Sequence, residues 1–271
     1  MKKHYTSLIS NIFGKFASYQ FPKFIQNIIN IAYVKLMGLD MSEFDNPTNY
    51  KSLNALFTRE LKKPREIDRD KRVIISPVDA LVTDFGKIVE GRAYQIKGME
   101  YSICKLFGEY HHKAVKYLEG GCFVNLYLSP KDYHRYHSPD RLKIKSITHI
   151  VGKLYPVNFP LLRNKKELFI ENERVIIECR DENKNRFIMV LVGALNVGKM
   201  VITFEKNIQT NISTNESKHY KYKDLWLDKG ELFGWFEMGS TILLFSQKDV
   251  IKYNLKINQK VKFAEPIGEK I

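Results

Sequence analysis

At 271 residues the chain is long enough for one large domain, or one domain with an appended segment, and its 44% hydrophobic and 13% aromatic content excludes a largely disordered protein. A formal net charge of +14 points to a polyanionic partner, either nucleic acid or anionic lipid. Cys104, Cys122 and Cys179 are scattered and form no CxxC pair, which argues against a disulfide scaffold or a zinc ribbon and for buried thiols in a reducing compartment.

From Ser7 to Met37 apolar residues recur at helical spacing: Ile9, Ile12, Phe13 and Phe16, then Ile25, Ile28, Ile29, Ala32 and Leu36, with Pro22 between the two groups. This predicts two amphipathic helices. Lys2, Lys3, Lys15, Lys23 and Lys35 bracket the apolar faces, and Asp40 is the one acid of the first forty residues. The uncharged run from Phe24 to Val34 is too short to span a bilayer, and Gln26, Asn27 and Asn30 interrupt it, which also disfavours a secretory signal. Two readings stand: a helix pair lying in a membrane interface, or an ordinary amphipathic pair packed on its own domain.

Asp45-Asn-Pro then marks a turn, and Leu53, Leu56, Phe57 and Leu61 predict a short helix ended by Lys62-Lys-Pro-Arg65. From Val73 the texture changes to strand-length runs rich in Val, Ile, Phe and Tyr: VIISPVDALVTDFG, GCFVNLYLSP, ERVIIECR, RFIMVLVGALNVGKMVITF and STILLF. No amphipathic helices alternate with these runs. The expected fold class is therefore α+β, mainly β, with an antiparallel or barrel-like sheet body preceded by N-terminal helices. The expected division is 1–65 for the helical region and 66–271 for the β-rich domain. The polar stretch from Lys206 to Lys229 reads as a long surface connection.

Three stretches carry candidate chemistry. Asp79 follows Pro77-Val78 and by itself is as well read as a turn residue. His134 and His137, spaced by three between Pro130 and Pro139, could be loop residues, metal ligands or acid/base groups, although nothing completes a familiar metal set. Gly239-Ser240-Thr241 opens the apolar run Ile242 to Phe245, and alone it is a turn before a buried strand. Together they contain a serine that needs a base, an imidazole suited to that task and a carboxylate able to orient it.

SPVDALV, YLSPKDYHRYHSP, GKLYPVN and EMGST resemble the signature segments of the phosphatidylserine decarboxylases, which are self-cleaving, pyruvoyl-dependent proenzymes. The similarity runs from NALFTRELKKPREI through YQIKGMEYSICKLFG, NERVIIE and VLVGALNVG to KGELFGWFEMGST. What this resemblance implies falls on individual residues. Ser240 matches the serine of the Leu-Gly-Ser-Thr motif, so the scissile bond would be Gly239–Ser240. Asp79 and His137 match the partners that activate it. His134 matches the histidine of the decarboxylation step. Met238 stands where Leu is commoner, an apolar exchange of similar size.

The resemblance further implies maturation into residues 1–239 and 240–271, with Ser240 converted to a covalent pyruvoyl group that takes up the amine of phosphatidylserine as a Schiff base. No metal is implied. It implies a homo-oligomer, in the family a homodimer, peripheral on the cytoplasmic face of the cell membrane, where an anionic surface meets the basic helices. No helix-turn-helix, zinc-finger or RNA-platform motif supports a nucleic-acid partner. The rival readings are a pyruvoyl decarboxylase of another serine-headed lipid and a non-catalytic basic lipid-binding protein.

Overall fold

The computed structural model describes residues 5–96, 98–195, 199–211, 216–237 and 240–271. Two helices lead the chain, α1 (Tyr5–Ser18) and α2 (Lys23–Met37). Pro22 precedes α2, and Gly38 ends it in the left-handed region at φ 64°. The next helix, α3 (Leu53–Phe57), begins at Ser52, whose hydroxyl accepts from the Ala55 N–H. It stops at Thr58, so Leu61 lies beyond the helix that its spacing suggests.

The β-rich body follows: β1 (Val73–Ile75), β2 (Ala80–Lys87), β3 (Arg92–Ile96) and β4 (Met99–Ser102), then helices α4 (Ile103–His111) and α5 (Ala114–Leu118). Next come β5 (Cys122–Leu128), β6 (Arg135–His137), β7 (Leu142–Ile150), and helices α6 (Phe159–Asn164) and α7 (Leu168–Glu171). The remaining strands are β8 (Arg174–Arg180), β9 (Arg186–Val192), β10 (Met200–Ile202), β11 (Lys218–Leu227), β12 (Leu232–Phe236), β13 (Ser240–Ser246), β14 (Ile251–Tyr253), β15 (Lys260–Val261) and β16 (Pro266–Lys270).

The main sheet is antiparallel and runs β11-β7-β8-β9-β13-β5-β2-β15. It has two edges, so it is an open sheet and not a closed barrel. A smaller sheet, β10-β12-β6, carries the histidine segment. The strand β13 lies inside the main sheet between β9 and β5, and Ile242, Leu243, Leu244 and Phe245 are all buried. Neighbours on both edges and cover on both faces explain why this segment is apolar without alternation.

The segment expected to be a surface connection contains β11. Among the described residues it pairs only with β7, as an edge strand, and its lysines lie along the exposed rim, which gives the stretch its polar look. The short helices α4 to α7 have no counterpart in the sequence reading. Of the cysteines, all free, Cys179 is buried, Cys122 half-buried and Cys104 exposed, so burial is not general to the three.

At the N-terminus the polar residues face inward. Gln26 and Asn30 are buried; Gln26 Nε2 donates to Asn30 Oδ1 at 2.8 Å, and Asn30 Nδ2 donates to the carbonyls of Pro47 and Tyr50, both at 2.9 Å. Phe24, Ile25, Ile28, Ile31 and Leu36 face outward, with Phe24 77% and Leu36 85% exposed.

Candidate active site

The strand β6 places His137 opposite Leu232 of β12, and the His134 carbonyl accepts the Phe236 N–H at 2.9 Å. The two histidines thus mark opposite ends of β12, about 10 Å apart along the strand. His134 is at the end where the chain leaves toward Ser240. Asp79 is tied to the same region through Pro77, whose carbonyl accepts the His137 N–H at 2.9 Å.

Both ring nitrogens of His137 are engaged. Nδ1 lies 2.9 Å from the Gly230 carbonyl, and because a carbonyl only accepts, Nδ1 carries the proton. Nε2 is then the basic nitrogen, and it accepts the Tyr133 O–H at 3.1 Å. Gly230 holds its carbonyl there at φ 79°, and a Cβ would come within 2.8 Å of Ile67, so both backbone and space call for glycine. The ring stacks on Phe263 with centroids 3.7 Å apart. Burial pushes the imidazole down to about 4, and Arg135 and Arg65 act in the same direction against the Gly230 bond. His137 is therefore neutral at neutral pH.

No hydrogen bond joins Asp79 to His137 among the described residues. Its carboxylate is held by Arg65, Nη1 to Oδ1 at 2.5 Å and Nη2 to Oδ2 at 3.0 Å, and by the Phe263 N–H at 2.7 Å. Arg65 also donates to both oxygens of Glu43, at 2.8 and 2.9 Å, and holds that carboxyl below its usual range. Asp79 thus reaches His137 indirectly, through Phe263. A pocket of about 260 Å³ opens here, lined by Arg65, Tyr133, Arg135, His137, Leu232 and Phe263 among others.

His134 is fully buried against Phe57, with ring centroids 4.0 Å apart. Its Nδ1 lies 2.8 Å from the Asp132 carbonyl, and its Nε2 has no partner among the described residues. Burial, with Arg59 adding, pushes it down to about 3.

The Ser240 backbone opens β13 opposite Leu128 of β5. Gly239 and Met238, and with them the expected scissile bond, lie outside the described residues. Two buried hydroxyls without partners among the described residues flank the start of this strand, Thr241 Oγ1 next to Ser240 and Ser129 Oγ next to Leu128. Orphans of this kind are rare in native proteins and mark places where a further polar group belongs.

Residues 53–269 match the family model described as phosphatidylserine decarboxylase. The chain belongs to the phosphatidylserine decarboxylase family. It is 48% identical to the phosphatidylserine decarboxylase proenzyme of Helicobacter pylori strain Shi470, with 97% of each chain covered. It is 45% identical to the proenzyme of Campylobacter jejuni over 96% of this chain and 97% of that one. It is 36% identical to that of Shewanella amazonensis over 93% and 88%.

Within this decarboxylase the sequence reading picks out Asp79, His134, His137 and Ser240, and the fold brings the first three together on and around β6. It passes over Arg59, Arg65, Tyr133, Gly230 and Phe263. Arg65 stands in a motif read only as a helix stop, and Phe263 meets Asp79 across 184 positions of sequence, a contact no local pattern announces.

Proposed function

We propose that this chain decarboxylates phosphatidylserine to phosphatidylethanolamine, after cutting itself between Gly239 and Ser240 and converting Ser240 to a pyruvoyl group. The observation that carries the reading is the place of Ser240: it begins a strand buried inside the main sheet, beside buried polar atoms that lack partners. The Thr241 and Ser129 hydroxyls, as donors, and the rigid strand fit a small carbonyl group at that position. Such a group supplies an electron sink for the bond broken as carbon dioxide leaves.

In the first stage His137 is the base. Its Nδ1–H is held by Gly230, so the basic nitrogen is Nε2, whose lone pair can take the Ser240 hydroxyl proton once the Tyr133 hydroxyl that it accepts swings aside. Asp79 acts at one remove, fixing the Phe263 backbone against which the imidazole stacks. After cutting, residues 240–271 stay bound, because burial of the Ile242 to Phe245 side chains is worth roughly 2 kcal/mol each.

In the second stage His134 holds or moves a proton at Nε2. Its ring is neutral and its other nitrogen is committed to Asp132.

The substrate's tails remain in a bilayer, so the site must approach one. Nine of the fifteen exposed large apolar residues among those described fall between Ile12 and Met37, and Lys15, Lys23 and Lys35 are exposed beside them. An outward apolar face with a basic rim, on helices too short to cross a membrane, supports peripheral attachment to an anionic surface through α1 and α2. The proposed location is the cytoplasmic face of the cell membrane, and the proposed assembly is a homo-oligomer of cut chains.

The test is to incubate the protein with phosphatidylserine vesicles and measure released carbon dioxide. Wild type should release it, Ser240→Ala should not, and His134→Ala should be cut yet inactive. His137→Ala should remain uncut. Rapid cutting of that variant would move the base elsewhere, and absence of carbon dioxide from fully cut wild type would overturn the substrate assignment.

A further inference from the structure

Arg59 follows α3 and is 2% exposed, yet only one of its nitrogens is hydrogen-bonded among the described residues. Nη2 donates to the Lys131 carbonyl at 2.7 Å and to the Asp132 carbonyl at 3.2 Å, whereas Nε and Nη1 have no partner there. The guanidinium lies over the Phe44 ring, 4.4 Å from its centroid. A buried cation held by two carbonyls and a ring, with no carboxylate clamp among the described residues, is costly, so its retention calls for a use.

The Asp132 carbonyl supplies one, because it accepts from two donors, Arg59 Nη2 and His134 Nδ1. The proton on Nδ1 is fixed by that bond, which leaves Nε2 as a lone pair inside the protein. We infer that Arg59 is a positioning residue for His134, clamping the Lys131 and Asp132 carbonyls so that the imidazole is held in the Nδ1–H tautomer with Nε2 as the proton acceptor. The Arg59 charge also bears on protonation, because after burial it is the main influence keeping this ring unprotonated. The charged and titratable groups around Arg59 include Tyr33 of α2, Asp40, Tyr50, Asp79, Asp132 and His134 itself. The Asp132 carboxylate is turned to the Ser129 N–H at 2.7 Å.

The consequence for catalysis rests on the decarboxylase reading. A substrate amine arrives as an ammonium and must lose a proton before its nitrogen lone pair is available. His134 Nε2 can take that proton and return it to the carbon from which carbon dioxide departs. The released amine then takes one proton from water, the proton that losing a carboxylate as carbon dioxide consumes overall. No oxidant or reductant enters.

The experiment uses the uncut Ser240→Ala chain with 15N-labelled histidine, following the His134 ring nitrogens by 15N–1H correlation from pH 8 to 4, with His134→Gln for assignment. With Arg59 in place the signal should show one neutral tautomer, protonated at Nδ1, throughout. Arg59→Gln should mix the tautomers and move protonation upward by about one pH unit or more. In the Ser240-containing enzyme the same substitution should leave cutting intact and slow decarboxylation about tenfold or more. If Arg59→Gln fails to melt cooperatively, Arg59→Lys serves: it keeps the charge and loses the fork, so tautomers should mix with little change in titration. An unchanged His134 tautomer and titration in the folded variants would overturn the inference. Loss of carbon dioxide release by the parent enzyme would instead strike the decarboxylase reading, and the ring spectra would still decide the part played by Arg59.

Discussion

The Arg65 guanidinium holds both oxygens of the Asp79 carboxylate, at 2.5 and 3.0 Å, and the Phe263 N–H shares one of them. An aspartate expected to orient His137 directly is instead the centre of a half-buried ionic cluster whose far side carries the ring that stacks on His137. Arg65→Gln should therefore act on both stability and cutting. Removing one member of a largely buried pair costs on the order of 3 kcal/mol. Thermal melting of the uncut Ser240→Ala background should show that loss, and the time course of cutting should slow in the otherwise wild-type chain. A variant as stable as its parent and cut as fast would remove Arg65 from the account.

Tyr133 and Gly230 divide the work of holding His137. Tyr133→Phe removes the donor at Nε2 and leaves the Nδ1 bond to Gly230, so the tautomer should persist. The expected result is a loss of about 1 kcal/mol in denaturant unfolding, with cutting slowed less than tenfold. Abolished cutting would mean that the Tyr133 hydroxyl itself carries the proton.

Both histidines are held neutral by burial, at about 4 for His137 and about 3 for His134. Their folded values lie below the unfolded value near 6.5, so as pH falls the unfolded chain takes up protons first. Stability should be flat above about pH 6.5 and fall from there down to about pH 3, the His137 share being lost by about pH 4, by a few kcal/mol in total. His134→Gln should flatten that slope. Cutting, if His137 is the base, should be independent of pH from 6 to 8 and fail only as pH approaches 4.

The inward side of α2 carries buried Gln26 and Asn30 beside Ile29, Tyr33 and Val34, while Phe24, Ile25, Ile28, Ile31 and Leu36 turn outward. Asn30→Ala, on the inward face, should destabilise by about 1–3 kcal/mol, because it leaves the Pro47 and Tyr50 carbonyls without their donor. Phe24→Asp with Ile28→Asp should leave the melting temperature unchanged and weaken sedimentation with anionic vesicles at least about tenfold, a loss of roughly 1.4 kcal/mol. Equal sedimentation would place membrane contact elsewhere.

The parts legible in the sequence are those governed by local patterning. The helix break at Pro22, the strands β5, β8, β9 and β13, and the histidine segment all follow from periodicity or from proline and glycine. The spacing of Ile103, Leu106, Phe107 and His111 on α4 was there to be read, but Gly108, at φ 67°, kinks the helix and breaks its pattern. The edge strand β11 reads as a loop in sequence because an edge tolerates lysines that an inner strand would exclude. What stayed hidden was long-range: Phe263 against His137, Arg65 against Asp79, and Arg59 beneath the loop that carries His134. Each is a contact made by tertiary packing, and none leaves a trace in the spacing of nearby residues.

The most direct measurement is the mass of the purified protein under denaturing conditions. The account predicts two pieces, residues 1–239 and residues 240–271, the smaller one blocked at its N-terminus by a pyruvoyl group. A single chain of 31.8 kDa with an ordinary serine at position 240 would contradict it.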